Sequence, residues 1–323
     1  MRLQNIARFL RPSLVCTAVA AVVLLTWGDG SSAGIQGTGR LAVRAVGRIT
    51  AFGSIFVDGI EYSLAQAQIQ IDGGNATAGQ LRIGQIVNVQ GVTTSANAGS
   101  ASNVTFNGDV VGPVSQVDPA GNAFTVLGQT VKIDDSTLFG DGIQPAGLAA
   151  LTVGTNVEVS AFTDASGNLL ASRVDLQTPG TALQVQGAVE GLNAAAKTFQ
   201  INDLKIDYSQ ASVSGTVANA TTALVWADEY PTAGTLHVTR VQISDGIGGS
   251  AGEQGHLEGL VTSISSASSF YIGTQLVVTN SSTNFVLHGQ TLAPNVEVRV
   301  HGTFDATGAL VAKQVMGQPP GHQ

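Results

Sequence analysis

Four segments of this 323-residue chain open in the same way, with an apolar strand built around a glycine. They read Val46-Gly47-Arg48-Ile49, Val111-Gly112-Pro113-Val114, Gln186-Gly187-Ala188-Val189 and Glu258-Gly259-Leu260-Val261. The glycines stand 65, 75 and 72 residues apart, and periods this long mean a whole small domain per repeat, not one turn of a solenoid.

Later landmarks recur in register. A second strand follows at Ile55-Phe56-Val57, Phe124-Thr125-Val126, Phe199-Gln200-Ile201 and Phe270-Tyr271-Ile272, each before a short turn and another apolar strand, which is hairpin chemistry. The strongest echo is Leu-x-x-Gly-x-x-Val-x-Val-x-Gly. It is written Leu81, Gly84, Val87, Val89, Gly91 in the first unit, Leu151, Gly154, Val157, Val159, Ala161 in the second, and Leu292, Asn295, Val298, Val300, Gly302 in the fourth. Alternation with period two predicts a half-buried strand with Val87 and Val89 inward and Asn88 and Gln90 in water. In the third unit the pattern is loose, and Leu224, Trp226 and Asp228 take its last three places. Each unit closes with a turn and a last strand: the shorter Ala101–Val104, then Gly167–Val174, Gly234–Val241 and Gly308–Val315. Asp164 to Gly167 and Asp305 to Gly308 place Asp at the start of a turn and Gly where positive φ is needed.

With 40 glycines and only 11% charged residues, short strands joined by tight turns are favoured over amphipathic helices. The fold class expected is all-β, as tandem small OB-like β-barrels or sandwiches of five or six strands each. The boundaries expected are a signal peptide at 1–33, barrel repeats at 40–108, 109–180, 181–245 and 256–316, a Gly-rich flexible linker at 246–255 and a disordered tail at 317–323.

The leader, the run Gly34-Ile35-Gln36-Gly37-Thr38-Gly39 and the repeated Leu-x-x-Gly-x-x-Val-x-Val-x-Gly pattern together resemble a bacterial family of exported tandem β-barrel domains catalogued as a domain of unknown function. The resemblance covers about residues 34 to 316. It implies architecture and an extracytoplasmic location, and brings no activity or catalytic residues with it.

Arg2, Arg8 and Arg11 precede an apolar run from Leu14 to Leu25, too short to span a bilayer comfortably, which reads as an export signal with a small-residue cleavage site at Ser31-Ser32-Ala33. Export to the periplasm or beyond, as a soluble form, is the expectation, with membrane attachment only if the leader stays uncleaved. Members of the resembled family commonly carry a lipidated cysteine just after the apolar run. Here Trp27 stands in that place and Cys16 lies inside the run, so lipoprotein anchoring is not expected. Removing residues 1–33 takes away three of 14 basic and one of 22 acidic side chains, leaving a net charge of −10, which repels phosphate backbones and argues against nucleic acid as a partner. Cys16 is the single cysteine, so the exported part has no disulfide and no thiolate.

Chemistry is sparse. The histidines, His237, His256, His288, His301 and His322, show no local metal-ligand spacing, and His237 and His301 alternate with inward residues, so both are expected outward and solvated. No Gly-x-Ser-x-Gly elbow occurs. Asp72, Asp134-Asp135 and Asp207 follow strand ends in three units; turn formation is the simpler account, and a calcium-collecting rim the alternative. No cofactor and no metal are expected.

The unusual cluster is Trp226-Ala227-Asp228-Glu229-Tyr230-Pro231. An aromatic face beside carboxylates suits stacking on sugars, so Trp226, Asp228, Glu229 and Tyr230 are the candidate ligand-binding residues. The competing account has Trp226 filling an inward valine place while the rest makes a turn. Adjacent Asp228 and Glu229 on a strand would diverge, which disfavours paired-carboxylate catalysis. The function expected is a non-catalytic cell-envelope structural or interaction protein whose partner is an envelope protein or polysaccharide. The alternative is a glycan-binding protein or glycan hydrolase using Trp226, Asp228 and Glu229.

Overall fold

The second and fourth repeats each close on themselves as a five-stranded barrel in a computed structural model that describes residues 41–244 and 246–318. The stretch expected as a leader, with the expected cleavage site and Trp27, lies outside the described residues. In the second unit, Val110–Asp118 pairs with Ala123–Val126, which pairs with Gln129–Lys132; that strand runs parallel to Leu169–Leu176, which pairs with Asn156–Thr163, and Asn156–Thr163 returns to the opening strand. The fourth unit repeats this circuit with Gln254–Ser266, Ser269–Ile272, Gln275–Val278, Glu297–Phe304 and Leu310–Gly317. The first and third units keep the same order, so the chain is all-β with tandem OB-like barrels. No helix among the described residues is long and apolar enough to cross a membrane.

The repeated glycines mark where two strands cross. A Cβ on Gly187 would lie 2.4 Å from Ile201 Cγ2, and one on Gly259 would lie 2.6 Å from Ile272 Cγ2, so the second strand passes directly over the opening one. Hairpin tips use the mirror-image turn that suits strand twist: Asp58 and Gly59 both have positive φ, as do Leu127 and Gly128. In the turn at Asp164, Gly167 has φ +80°, and Asp164 Oδ1 accepts from the Ser166 and Asn168 amides, both at 2.8 Å.

The inward residues are Val87 and Val89, Val157 and Val159, and Val298 and Val300, all fully buried. The third unit differs from its expected register by one residue. The opening glycine faces Val87, Val157 and Val298 in the other units, and Gly187 faces Ala223, so Val225 and Ala227 point inward while Leu224 and Trp226 point away from the barrel.

The barrels are not strung in a row. The opening strands of the first and fourth units pair in parallel from Val43 with Gln254 to Val46 with Leu257, and those of the second and third pair antiparallel at Val110 with Val185 and Val111 with Gln184. Bonds join the remaining pairs: Ile86 N–H to Ser160 Oγ (2.8 Å), Gln184 Nε2 to Asp72 Oδ1 (3.2 Å), Ala165 N–H to Asn295 Oδ1 (2.7 Å) and the hydroxyls of Thr222 and Thr274 (3.0 Å). Every unit touches the other three.

The segment expected as a flexible linker is pinned. Ile247 N–H donates to Gln275 Oε1 (3.1 Å), Gly252 N–H to the Phe304 carbonyl (2.9 Å), and Gln254 already begins a strand. The expected tail also starts late: Gly317 ends the last strand and Gln318 Nε2 donates to Glu297 (3.0 Å). Residues 319–323 lie outside the described residues.

Candidate functional site

Outward residues of Asn156–Thr163 and Glu297–Phe304, expected to be wet, meet other units instead. Where the first and fourth units join, Asp58 sits at the tip of the first hairpin with φ +51° and a fully buried side chain. His256 and His301 are cross-strand partners that alternate with inward Leu257 and Val300, so both present their rings to that seam. His301 Nε2 lies 2.6 Å from Asp58 Oδ2 and His256 Nδ1 lies 3.8 Å from it, with the two imidazole centroids 4.3 Å apart. Arg299 Nε stands 3.8 Å from Asp58 Oδ1.

The cluster has unused bonding capacity. Asp58 Oδ1, His256 Nδ1 and the Tyr62 hydroxyl are buried without a hydrogen-bond partner. Burial, reinforced by the neighbouring His301, pushes the His256 pKa down to about 3, so its ring is neutral at physiological pH. Burial and the Asp58 carboxylate push the Tyr62 phenol up, which keeps it protonated. Asp58, His256 and His301 are the one group among the described residues whose Asp, Glu, His or Cys ligand atoms all approach within 4.8 Å. This corrects the expectation of a solvated His301: it points out of its own barrel, as alternation requires, but into another unit.

Beside this cluster a second set of charges binds the same seam. The Arg48 amide donates to Glu258 Oε2 (2.8 Å), and its guanidinium reaches Glu258 and Glu297. Gly47 makes room, since a Cβ there would lie 2.8 Å from Glu258 Oε2.

The cluster singled out in the third unit comes apart. Trp226 is only 7% exposed, and the Arg240 guanidinium lies 3.4 Å from its ring centroid. Arg240 in turn abuts Gly73 at a hairpin tip of the first unit. Trp226 therefore neither offers a face to a sugar nor fills its own barrel; it is packed at a seam under a cation. Asp228, Glu229 and Tyr230 follow the strand end at Ala227 and are exposed, Tyr230 by 56%. The structure keeps those three together and removes Trp226 from them.

Other candidates are local. Asp134 Oδ1 accepts from the Ser136 amide and hydroxyl, and Asp207 Oδ1 from the Ser209 amide, so both form turns. Asp72 bonds Gly108 N–H and Gln184 at a seam. His237 is exposed as expected, 3.3 Å from Asp207.

Four repeated units fused through shared sheets define a tandem OB-like β-barrel repeat protein. Residues 111–175 and 258–316, within the second and fourth units, match the family described as Domain of unknown function (DUF5666), consistent with a repeated domain. No curated protein matches the chain significantly.

Proposed function

We propose that the chain is a non-catalytic binding protein of the bacterial cell envelope, exported through its N-terminal segment, that presents surfaces at fixed spacing to an envelope protein or polysaccharide. The supporting observation is the contact of every unit with the other three. Loops mounted on such a body need little ordering when they bind, and several contacts can act at once. Asp228, Glu229 and Tyr230 form the contact loop: an exposed phenol ring beside two carboxylates stacks on sugar faces and accepts from hydroxyls.

Three measurements test this. A reporter active only outside the cytoplasm, fused to the leader, is expected to be active, and a cytoplasmic location would refute export. Glycan arrays and photo-crosslinking from position 230 in intact envelopes are expected to give a partner whose binding falls at least tenfold in Tyr230→Ala at unchanged thermal stability. Binding indifferent to Tyr230 would refute the loop assignment. Shortening of a polysaccharide by the parent chain and not by Glu229→Gln would refute the non-catalytic reading.

A further inference from the structure

We infer that Asp58, His256 and His301 form a binding site for one divalent transition-metal ion, such as zinc, that staples the first unit to the fourth. The donor set is one carboxylate and two imidazoles, the chemistry such ions take from proteins, with solvent free to complete the shell. Metal–ligand bonds of about 2.0–2.1 Å in a tetrahedral shell place ligand atoms about 3.3 Å apart. The observed 2.6 Å between His301 Nε2 and Asp58 Oδ2 and 3.8 Å between His256 Nδ1 and Asp58 Oδ2 bracket that spacing. All three ligand atoms lie within 4.8 Å of one another, so a shift of the two imidazole rings is what closing the shell requires.

Two features favour a ligand over a merely structural cluster. Asp58 Oδ1 and His256 Nδ1 are buried with nothing to bond, a cost that folded proteins ordinarily avoid. Both imidazoles turn a ring nitrogen toward the same carboxylate oxygen, Asp58 Oδ2. Arg299 is the opposing term, a cation 3.8 Å from the carboxylate. Its side chain is 34% exposed, so it can swing to solvent when a metal takes its place. His301, 29% exposed at the side chain, lines the way in. Asp58 comes from residues 41–106 and both histidines from 254–317, so an ion held by all three binds only the assembled form and raises its stability.

The test is a titration of the purified chain, stripped with chelator, using Zn2+ by calorimetry and Co2+ by visible absorption. The expected result is one ion per chain with a Kd of about 1 µM or tighter, a Co2+ spectrum of a low-coordinate nitrogen–oxygen site, and a melting temperature higher by several degrees in excess zinc. Asp58→Asn, whose residue also accepts positive φ, and His301→Gln are expected to weaken binding at least 100-fold, whereas Arg299→Gln should tighten it. His301→Cys provides a reading that does not depend on loss: it should keep Co2+ and add a near-ultraviolet thiolate-to-cobalt band. Absence of saturable binding below about 100 µM, unchanged affinity in Asp58→Asn and His301→Gln, or no thiolate band in His301→Cys would each overturn the assignment.

Discussion

Asp109 shows how a single side chain reports on the seams. Its Oδ2 accepts from the Ala161 amide at 2.8 Å in the second unit, its Oδ1 from Gln186 Nε2 at 3.1 Å in the third, and burial pushes its pKa up to about 7. A carboxyl group that holds its proton more tightly folded than unfolded contributes stability below its unfolded pKa, near 4, and loses that contribution as pH rises through about 7. Asp109→Asn keeps an acceptor for Ala161, while the Gln186 amide can turn to meet the new NH2. The variant is expected to match the parent near pH 4 and to exceed it increasingly up to about pH 7, by on the order of 4 kcal/mol above that. Urea unfolding of both across this range is the check, and a constant difference would show that Asp109 does not titrate with folding. Nothing in the sequence marks Asp109, since it follows Gly108 as any turn aspartate would. Asp58 is similar: its pairing with Gly59 signals a hairpin tip, but not that the tip reaches two histidines 198 and 243 residues away in the chain.

At the scale of the strand, sequence alternation reports which residues face the barrel and is silent about what lies outside. Val300, with no exposed surface, is expected to lose at least about 3 kcal/mol of stability when replaced by Asp, which would bury a carboxylate without a partner. Glu158, alternating with Val157 and Val159, reads from sequence as a wet residue, yet it is buried against Asp72 of the first unit and bonds Gln177 at 2.8 Å. Burial first, then the Asp72 carboxylate, raises its pKa to about 8. Glu158→Gln is therefore expected to gain on the parent from near pH 4 up to about pH 8 and to keep a constant advantage above that, because over this range the carboxyl ionises in the unfolded chain and stays protonated in the folded one. The same logic explains the misread register of the third unit. Leu224 and Trp226 are apolar because they line seams, and that apolarity mimics an inward face. The repeated glycines were legible as landmarks, and their physical reason is the crossing strand. Gly187→Ala should cost about 1–3 kcal/mol by forcing the new methyl against Ile201, measurable by denaturant unfolding.

For the molecule as a whole, the presence of the repeats could be read from local patterns because each barrel is made of neighbouring strands. The arrangement of the barrels could not, because the pairing of Leu41–Arg48 with Gln254–Ser266 leaves no periodic signal in either segment. That pairing is the central claim, since it turns four barrels in sequence into one closed body and brings Asp58 to His256 and His301. Successive amides in a strand point to opposite edges. The Arg48 amide points to the fourth unit and the Ile49 amide to Gln85 in its own unit, so those of Arg44 and Val46 face the fourth unit as well. Amide-resolved hydrogen exchange on the unmodified chain tests this directly. Arg44 and Val46 are expected to exchange as slowly as Val43 and Ala45, whereas exchange at loop-like rates for Arg44 and Val46 beside protected Val43 and Ala45 would contradict the joining of the first unit to the fourth.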